Sequence, residues 1–334
     1  MLAMLFSRTL LLVASVAFAA ADHNEICGTK QYVVTSGEDT FVFNPNAWRP
    51  GDEGFQCMEV QDDPPAFDAT WWWPSDAATV HSYPHVKLVT PSLPVPLSNI
   101  SALLLSTKWS MGVGSKPLRL LDVDSSGLSS QSTTANVAFD LFADLDPERA
   151  RDEKLASTEI MFWLGMFGYA QPLGYGKNKE CFASLVIGDA EFTLYQGRNE
   201  RGTNVFSWVS NTTRTSFAGE VSPLLEYLWR NGLISGETNI GLVSFGSEAF
   251  ISSGNVTFSA TDFRISLVTG EAPALNVPPL PATNCSGYVA TGDKKSEPKD
   301  KDDNGSSGLE SSRLSALAMV LITFTVVCLG QFLS

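Results

Sequence analysis

Basic residues are scarce in this chain, and so are histidine and cysteine. Lysine and arginine number 22 against 36 acidic residues, for a net charge of −14. That imbalance argues against nucleic acid as a partner and suits a protein acting on something uncharged. The three histidines are His23, His81 and His85. The segment HSYPH spaces two of them by four residues, but Pro84 spoils a helix there and no cysteine or acid is close by. No metal site is expected, nor any other cofactor. There is no G-x-S-x-G elbow and no P-loop, which removes two common routes to hydrolysis. Of five cysteines, Cys328 lies in a terminal apolar run. Cys27, Cys57, Cys181 and Cys285 remain, an even number that suggests two disulfides in an oxidising compartment, with three pairings open.

Long apolar runs occur at the two ends. The first, Leu10 to Phe18, follows Arg8 and precedes small-residue cleavage sites, so residues 1–21 read as a secretory signal peptide. The second runs uncharged from Leu314 to Ser334, after Arg313 and the small-residue patch Asn304 to Gly308. A small-residue site, a polar spacer, a hydrophobic tail and no basic residue beyond it match a GPI-anchor signal. A transmembrane helix is the alternative, although such a helix usually carries Lys or Arg on its cytoplasmic side. Residues 271–313 are first proline-rich, EAPALNVPPLPATN, then charged, GDKKSEPKDKDDNGSSG. Both resist packing and read as a linker or stalk. Residues 22–270 are left as one folded unit. Sequons at Asn99, Asn211, Asn255, Asn284 and Asn304 fit the secretory route and a glycoprotein.

Within the folded unit, short β-branched and aromatic runs recur between turn residues. They include QYVVTS, DTFVFN, VHSYPHVKLV, ANVAFDLF, EIMFWL, CFASLVI, EFTLYQG, NVFSWVS, IGLVSFG, NVTFSA and FRISLV. This pattern predicts an all-β sandwich or jelly roll. One helix is expected at VSPLLEYLWRNG, where Leu224, Leu225, Leu228 and Trp229 share a helical face and Gly232 stops it.

Three acids interrupt apolar strands. In STEIMFWLG, alternation puts Glu159, Met161 and Trp163 on one face and Ile160, Phe162 and Leu164 on the other. A charge beside a thioether and an indole costs several kcal/mol or shifts its pKa. Glu248 in SFGSEAF interrupts a second apolar strand. Two strand-borne carboxylates facing each other are what glycoside hydrolysis requires; solvated strand faces are the plain alternative. Asp140 in NVAFDLF shares a face with Asn136 and Ala138 and could tune a neighbouring acid. Tryptophan is the other theme, at Trp48 and at Trp71, Trp72 and Trp73. Indoles pack on the flat C–H faces of sugars, and they also fill the cores of sandwiches. Three in a row cannot all face one way.

Together these residues resemble glycoside hydrolase family 12, secreted endo-β-1,4-glucanases and xyloglucanases. The family's E-[IL]-M-x-W resembles Glu159 to Trp163, its G-T-E-P-F resembles Gly246 to Phe250, and its N-V-A-Y-D-L-F resembles Asn136 to Phe142. N-N-L-W resembles Pro45 to Trp48; W-x-W-S and the later V-K-S-Y resemble Trp71 to Pro74 and Val80 to Tyr83. Cys27-Gly28 and Cys57 resemble the family's N-terminal cysteines. The resemblance implies a jelly roll of two antiparallel sheets with a concave substrate cleft. It implies Glu159 as nucleophile of a retaining reaction, Glu248 as general acid/base, and Asp140 hydrogen-bonded to the nucleophile. Asn46, Trp48, Trp73, Met161, Trp163 and Pro172 would contact a β-1,4-linked glucan. Cys27 would pair with Cys57, leaving Cys181 and Cys285. Three positions depart from the pattern: Ala249 replaces a proline, Phe67 a tryptophan and Met111 a tyrosine. These bear on subsite shape, and so on linear against xylose-branched glucan.

The expectation is a secreted, surface-anchored, monomeric endo-β-1,4-glucanase, bound to the membrane by a C-terminal lipid anchor or helix. The alternatives are a non-catalytic carbohydrate-binding wall protein and a wall-remodelling transglycosylase.

Overall fold

The computed structural model describes residues 24–48, 53–61, 66–176, 183–271 and 278–279. The expected signal peptide, anchor signal, most of the stalk, Cys181, Cys285, Asn284 and Asn304 lie outside them.

The first strands are β1 (Asn24–Cys27), β2 (Tyr32–Ser36), β3 (Asp39–Asn44), β4 (Phe55–Gln61), β5 (Ala66–Trp72) and β6 (His85–Val89). Then come β7 (Val95–Pro96), β8 (Ile100–Val113), β9 (Thr134–Asp144), β10 (Thr158–Phe167), β11 (Ser184–Ile187) and β12 (Ala190–Arg198). The last are β13 (Asn204–Ser210), β14 (Ser216–Glu220), β15 (Asn239–Gly246), β16 (Ala249–Ile251) and β17 (Val256–Thr269). The helices are α1 (Ser125–Ser130), α2 (Pro147–Ala150) and α3 (Ser222–Arg230).

The strands form two sheets, the jelly-roll sandwich expected. The smaller runs β1-β4-β5-β17-β8-β14; the larger follows β11-β12-β13-β10-β9-β15-β6-β3-β2, with β7 and β16 attached to β15 and β9. One pair breaks the antiparallel rule. β13 lies parallel to β10, because the β11–β12 hairpin intervenes and returns the chain in its original direction.

Alternation builds the interface between the sheets. β5 buries Phe67, Ala69 and Trp71, while β10 sends Ile160, Phe162 and Leu164 into the same core. Phe139 meets Phe245 at 4.8 Å and Phe67 meets Phe258 at 5.7 Å. Each such side chain contributes about 1.5–3 kcal/mol by leaving water. The expected helix is present as α3, with Leu224, Leu225 and Leu228 buried and Gly232 at φ 71° beyond its end. It is not alone. Asp124 and Asp146 cap α1 and α2 through their side chains, so two helical turns form without an apolar stripe. NVTFSA and FRISLV belong to a single strand, β17, which passes through a bulge at Asp262 (φ 57°).

Cys27 and Cys57 are opposite each other in β1 and β4 and form a disulfide. Asn99 and Asn211 are exposed and Asn255 is half-buried. Among the described residues, no helix is long and apolar enough to cross a membrane.

Candidate active site

The outer face of the large sheet carries the candidate acids. Glu159 lies opposite Phe142, Met161 opposite Asp140, and Trp163 opposite Ala138. β15 extends these rows with Leu242, Ser244 and Gly246, and β6 adds Lys87 and His85. On the other flank β13 places Val205, Ser207 and Val209 beside Glu159, Met161 and Trp163. Directly paired residues share a face, so the register gathers two of the three acids on one surface. Shifts in pairing after Trp163 and between Ile240 and Leu242 add the local twist that bulges bring. Met161, Trp163, Ala138, Ala170, Val205 and Val209 pack together as the floor, with Tyr195 and Phe250 against them. Trp163 Nε1 donates to Met161 Sδ at 3.3 Å.

Glu248 reaches the same surface from the turn between β15 and β16. Asn136 on β9 holds it at three points. The Asn136 amide donates to the Glu248 carbonyl at 3.1 Å, the Glu248 amide donates to Asn136 Oδ1 at 2.9 Å, and Asn136 Nδ2 donates to Glu248 Oε2. Ser247 Oγ donates to the Asn136 carbonyl at 2.6 Å. Gly246 is needed in this turn, because a Cβ there would lie 2.2 Å from the Pro84 carbonyl oxygen.

Burial pushes all three acids up. Glu159 rises to about 7, against the opposing pull of the Arg201 charge and a hydrogen bond from Asn199. Glu248 rises to about 8, because burial is reinforced by the charge of Glu159 and only partly offset by Asn136. Asp140 is raised well above its ordinary value by burial, then by Glu159 and Glu248. The expected hydrogen bond from Asp140 to Glu159 is absent. Asp140 Oδ1 is buried without a partner, and the two acids interact through charge. The arrangement offers one carboxyl that keeps a proton and another eased toward ionisation by a cation and an amide.

Tyr83 stands between these groups. Its hydroxyl donates to the Ala138 carbonyl at 3.3 Å and lies 3.5 Å from Ser244 Oγ. Burial and the charge of Asp140 raise its pKa further. Its ring stacks on His85 at 4.9 Å. Burial lowers His85 to about 4, so it is a neutral part of the wall.

Trp48 and Asn46 lie beyond β3, at that end of the sheet. Trp48 is 45% exposed, and its segment is pinned by Asn46 N to Asn44 Oδ1 (2.8 Å) and Trp48 N to the His81 carbonyl (3.2 Å). Pro172 is buried in a loop on the β12 side; Tyr175 N donates to its carbonyl at 3.0 Å, and the Tyr175 ring lies 5.7 Å from Tyr195. Trp73 is a correction. It is 2% exposed in the main core, stacked on His81 with Nε1 donating to Ser82 Oγ at 2.9 Å, and presents no face to a glycan. Phe67, Met111 and Ala249 are also buried in the core between the sheets, so these departures alter packing rather than the face that carries the acids.

A sequence profile described as "Glycosyl hydrolase family 12" matches residues 39–268. The chain belongs to glycosyl hydrolase family 12. It is therefore a glycoside hydrolase. It is 28% identical over 266 residues to the probable xyloglucan-specific endo-beta-1,4-glucanase A of Aspergillus flavus, covering 78% of this chain and 98% of the relative. It is 28% identical over 243 residues to the xyloglucan-specific endo-beta-1,4-glucanase 1 of Phytophthora sojae, covering 72% and 90%. The fold matches Trichoderma harzianum endoglucanase 3 with a TM-score of 0.60 at 24% identity, covering 75% of this chain and 100% of that one. It matches a family 12 xyloglucanase from Bacillus licheniformis with a TM-score of 0.59 at 17% identity, covering 73% and 100%.

The candidate acids are legible in the sequence but their holders are not. Asn136 was visible on the face of Asp140, yet nothing in NVAFDLF shows that it grips a turn over a hundred residues away. Asn199 and Arg201 lie in a polar turn, RNERGT, that reads only as a loop.

Proposed function

We propose that this protein is a retaining endo-β-1,4-glucanase, with xylose-branched glucan as its first substrate and linear or mixed-linkage glucan beside it. The observation that carries this is the meeting of Glu159 with an Asn136-clamped Glu248 on one sheet face. Xyloglucan comes first because relatives aligned over most of both chains are named for it. In the first step Glu248 gives its proton to the glycosidic oxygen as Glu159 attacks the anomeric carbon. The C–O bond to the leaving sugar breaks and a glycosyl ester forms on Glu159. In the second step Glu248, now ionised, takes a proton from water, whose oxygen displaces Glu159. Stronger upward pressure on Glu248 than on Glu159 supports this division of roles. Asp140, held toward its protonated form by burial and by the charge of Glu159, would support the nucleophile by staying neutral beside it. Met161, Trp163, Trp48, Asn46 and the Pro172 loop would contact the chain of sugars.

The same reading takes residues 1–21 as a signal peptide, residues 22–270 as the catalytic domain, residues 271–313 as a stalk and residues 314–334 as a GPI-anchor signal. The enzyme would work as a glycosylated monomer outside the cell, tethered at its surface. The test is reducing-end release from xyloglucan, mixed-linkage β-glucan and carboxymethylcellulose by the secreted chain and by Glu159→Gln. Release by the wild type alone supports the reading. Equal release by both variants overturns the role of Glu159, and no release by either overturns the enzyme assignment to these glucans.

A further inference from the structure

Among the groups that act on Glu159 and Asp140, negative charge outnumbers positive. Asp140 on β9 feels the charges of Glu159 from β10, Glu248 from the β15–β16 turn and Glu153 from the segment after α2; Glu159 in turn feels Glu153, and Glu248 feels Glu159. The cation that opposes them at both Glu159 and Asp140 is Arg201. It comes from the turn between β12 and β13, and that turn is a fixed structure. Asn199 Oδ1 accepts the amides of Arg201 at 3.1 Å and Thr203 at 3.0 Å. Gly202 N donates to the Asn199 carbonyl at 2.9 Å, and Asn199 N donates to the Thr203 carbonyl at 3.2 Å. Gly202 sits at φ 83°, where a side chain would be strained. Arg198 reaches across to the Gly202 carbonyl at 3.3 Å.

The sheet register aims this turn. Asn204 pairs with Thr158, Val205 with Glu159, and Asn204 N donates to the Ser157 carbonyl at 3.0 Å. The turn therefore projects beside the strand that carries Glu159. Asn199 is held by its oxygen and offers its amide to Glu159. Among the described residues, Arg201 forms no ion pair within 4.0 Å. Its exposed side chain is tied to no described carboxylate, Glu159 included, and acts on Glu159 through space.

We propose that Arg201 is a positioning residue of the catalytic centre, a cation carried on a rigid turn that balances the carboxylates around Glu159 without touching the scissile bond. This rests on the proposed role of Glu159 as nucleophile. The groups facing Glu159 are then Asp140, Glu248, Glu153, Arg201, the Asn199 amide and the Tyr83 hydroxyl. Arg201 is the positive member of that set. Removing its charge makes ionised Glu159 costlier, so the acid limb of activity moves to higher pH. A lysine restores the charge without the planar fork.

Two readouts separate this inference from the assignment beneath it. The first is the carboxyl-carbon NMR titration of Glu159 in the full secreted chain, assigned by the signal lost in Glu159→Gln, which needs no turnover. Arg201→Gln is expected to raise the Glu159 pKa by about half a unit or more, and Arg201→Lys to return most of it. The second is kcat/KM against pH on xyloglucan, where Arg201→Gln should move the acid limb by the same amount. It should lower kcat severalfold below that limb and leave KM within about threefold. A Glu159 titration unchanged in Arg201→Gln overturns the proposal even if the wild type is fully active. So does a rise in KM alone, or an Arg201→Lys variant that behaves like Arg201→Gln. A shifted titration with no glucan cleavage by the wild type would support the charge pairing and count against the proposed function instead.

Discussion

The two faces of β9, β10 and β15 share one backbone and differ in almost everything else. Inward, Phe139, Leu141, Ile160, Phe162, Leu164, Val243 and Phe245 meet the smaller sheet with their side chains fully buried. Outward, the alternate positions carry Asp140, Glu159, Met161, Trp163 and Ser244. The first face gains its stability by shedding water. The second accepts buried carboxyls whose pKa values rise because shedding water is unfavourable to charge. A strand period of two residues lets one segment do both. The core fixes where the outward positions stand, so the face that carries desolvated acids is held by its apolar neighbour.

The sharpest way to break this comparison is to change one face at a time. Glu159→Gln should lower kcat at least about 10³-fold on any glucan the wild type cleaves, with the fold intact by circular dichroism. Phe162→Ala, three positions along the same strand, should destabilise the domain by about 3–5 kcal/mol in urea while leaving the residual folded enzyme active. A mutant of either kind that behaved like the other would erase the distinction.

The pH dependence of stability sharpens it further. The folded pKa values of Glu159 and Glu248 lie above the ordinary value of 4.5, at about 7 and about 8. Between those limits the folded chain holds protons that the unfolded chain has released. These two acids therefore weaken the fold progressively as pH rises through that window. Glu159→Gln should match the wild type near pH 4 and exceed its stability near pH 8 by on the order of 1–2 kcal/mol, measured by urea titration at both pH values. The loss of activity and the gain of stability would then come from one carboxyl.

Two tryptophans give the smallest and most local contrast. Trp73→Ala should lower stability by about 3–5 kcal/mol, because the indole is buried against His81. Trp48→Ala should leave the melting temperature within a few degrees, since its ring is exposed, and raise KM by severalfold if the ring takes the proposed sugar contact. Thermal melts and Michaelis curves of the two variants check this.

The larger sheet was more legible in the sequence than its partner. EIMFWL, ANVAFDLF and IGLVSFG announce themselves by apolar runs, and each became a strand of the large sheet. β8, fourteen residues of the smaller sheet, did not. Its Leu103-Leu104-Leu105 run lacks clear alternation, and only Leu104 of the three is exposed. β4 hides its pattern behind Gln56, a polar residue turned inward whose Nε2 donates to the Pro45 carbonyl. The acids were visible because a charge in an apolar strand breaks a rule. Their supports were not, because Asn136, Asn199 and Arg201 break none. Trp73 misled for the opposite reason: an aromatic that suits a sugar also suits a core, and the choice depends on its sheet rather than on its neighbours in sequence.

The central claim is that Glu159 forms a covalent bond with the sugar. A 2-deoxy-2-fluoro cello-oligosaccharide with an activated leaving group would slow breakdown of that intermediate, and peptide mass mapping would locate it. The account predicts a single glycosyl adduct on the peptide carrying Glu159, absent from Glu159→Gln. An adduct on Glu248 or Asp140, or full turnover with no adduct on Glu159, would contradict it.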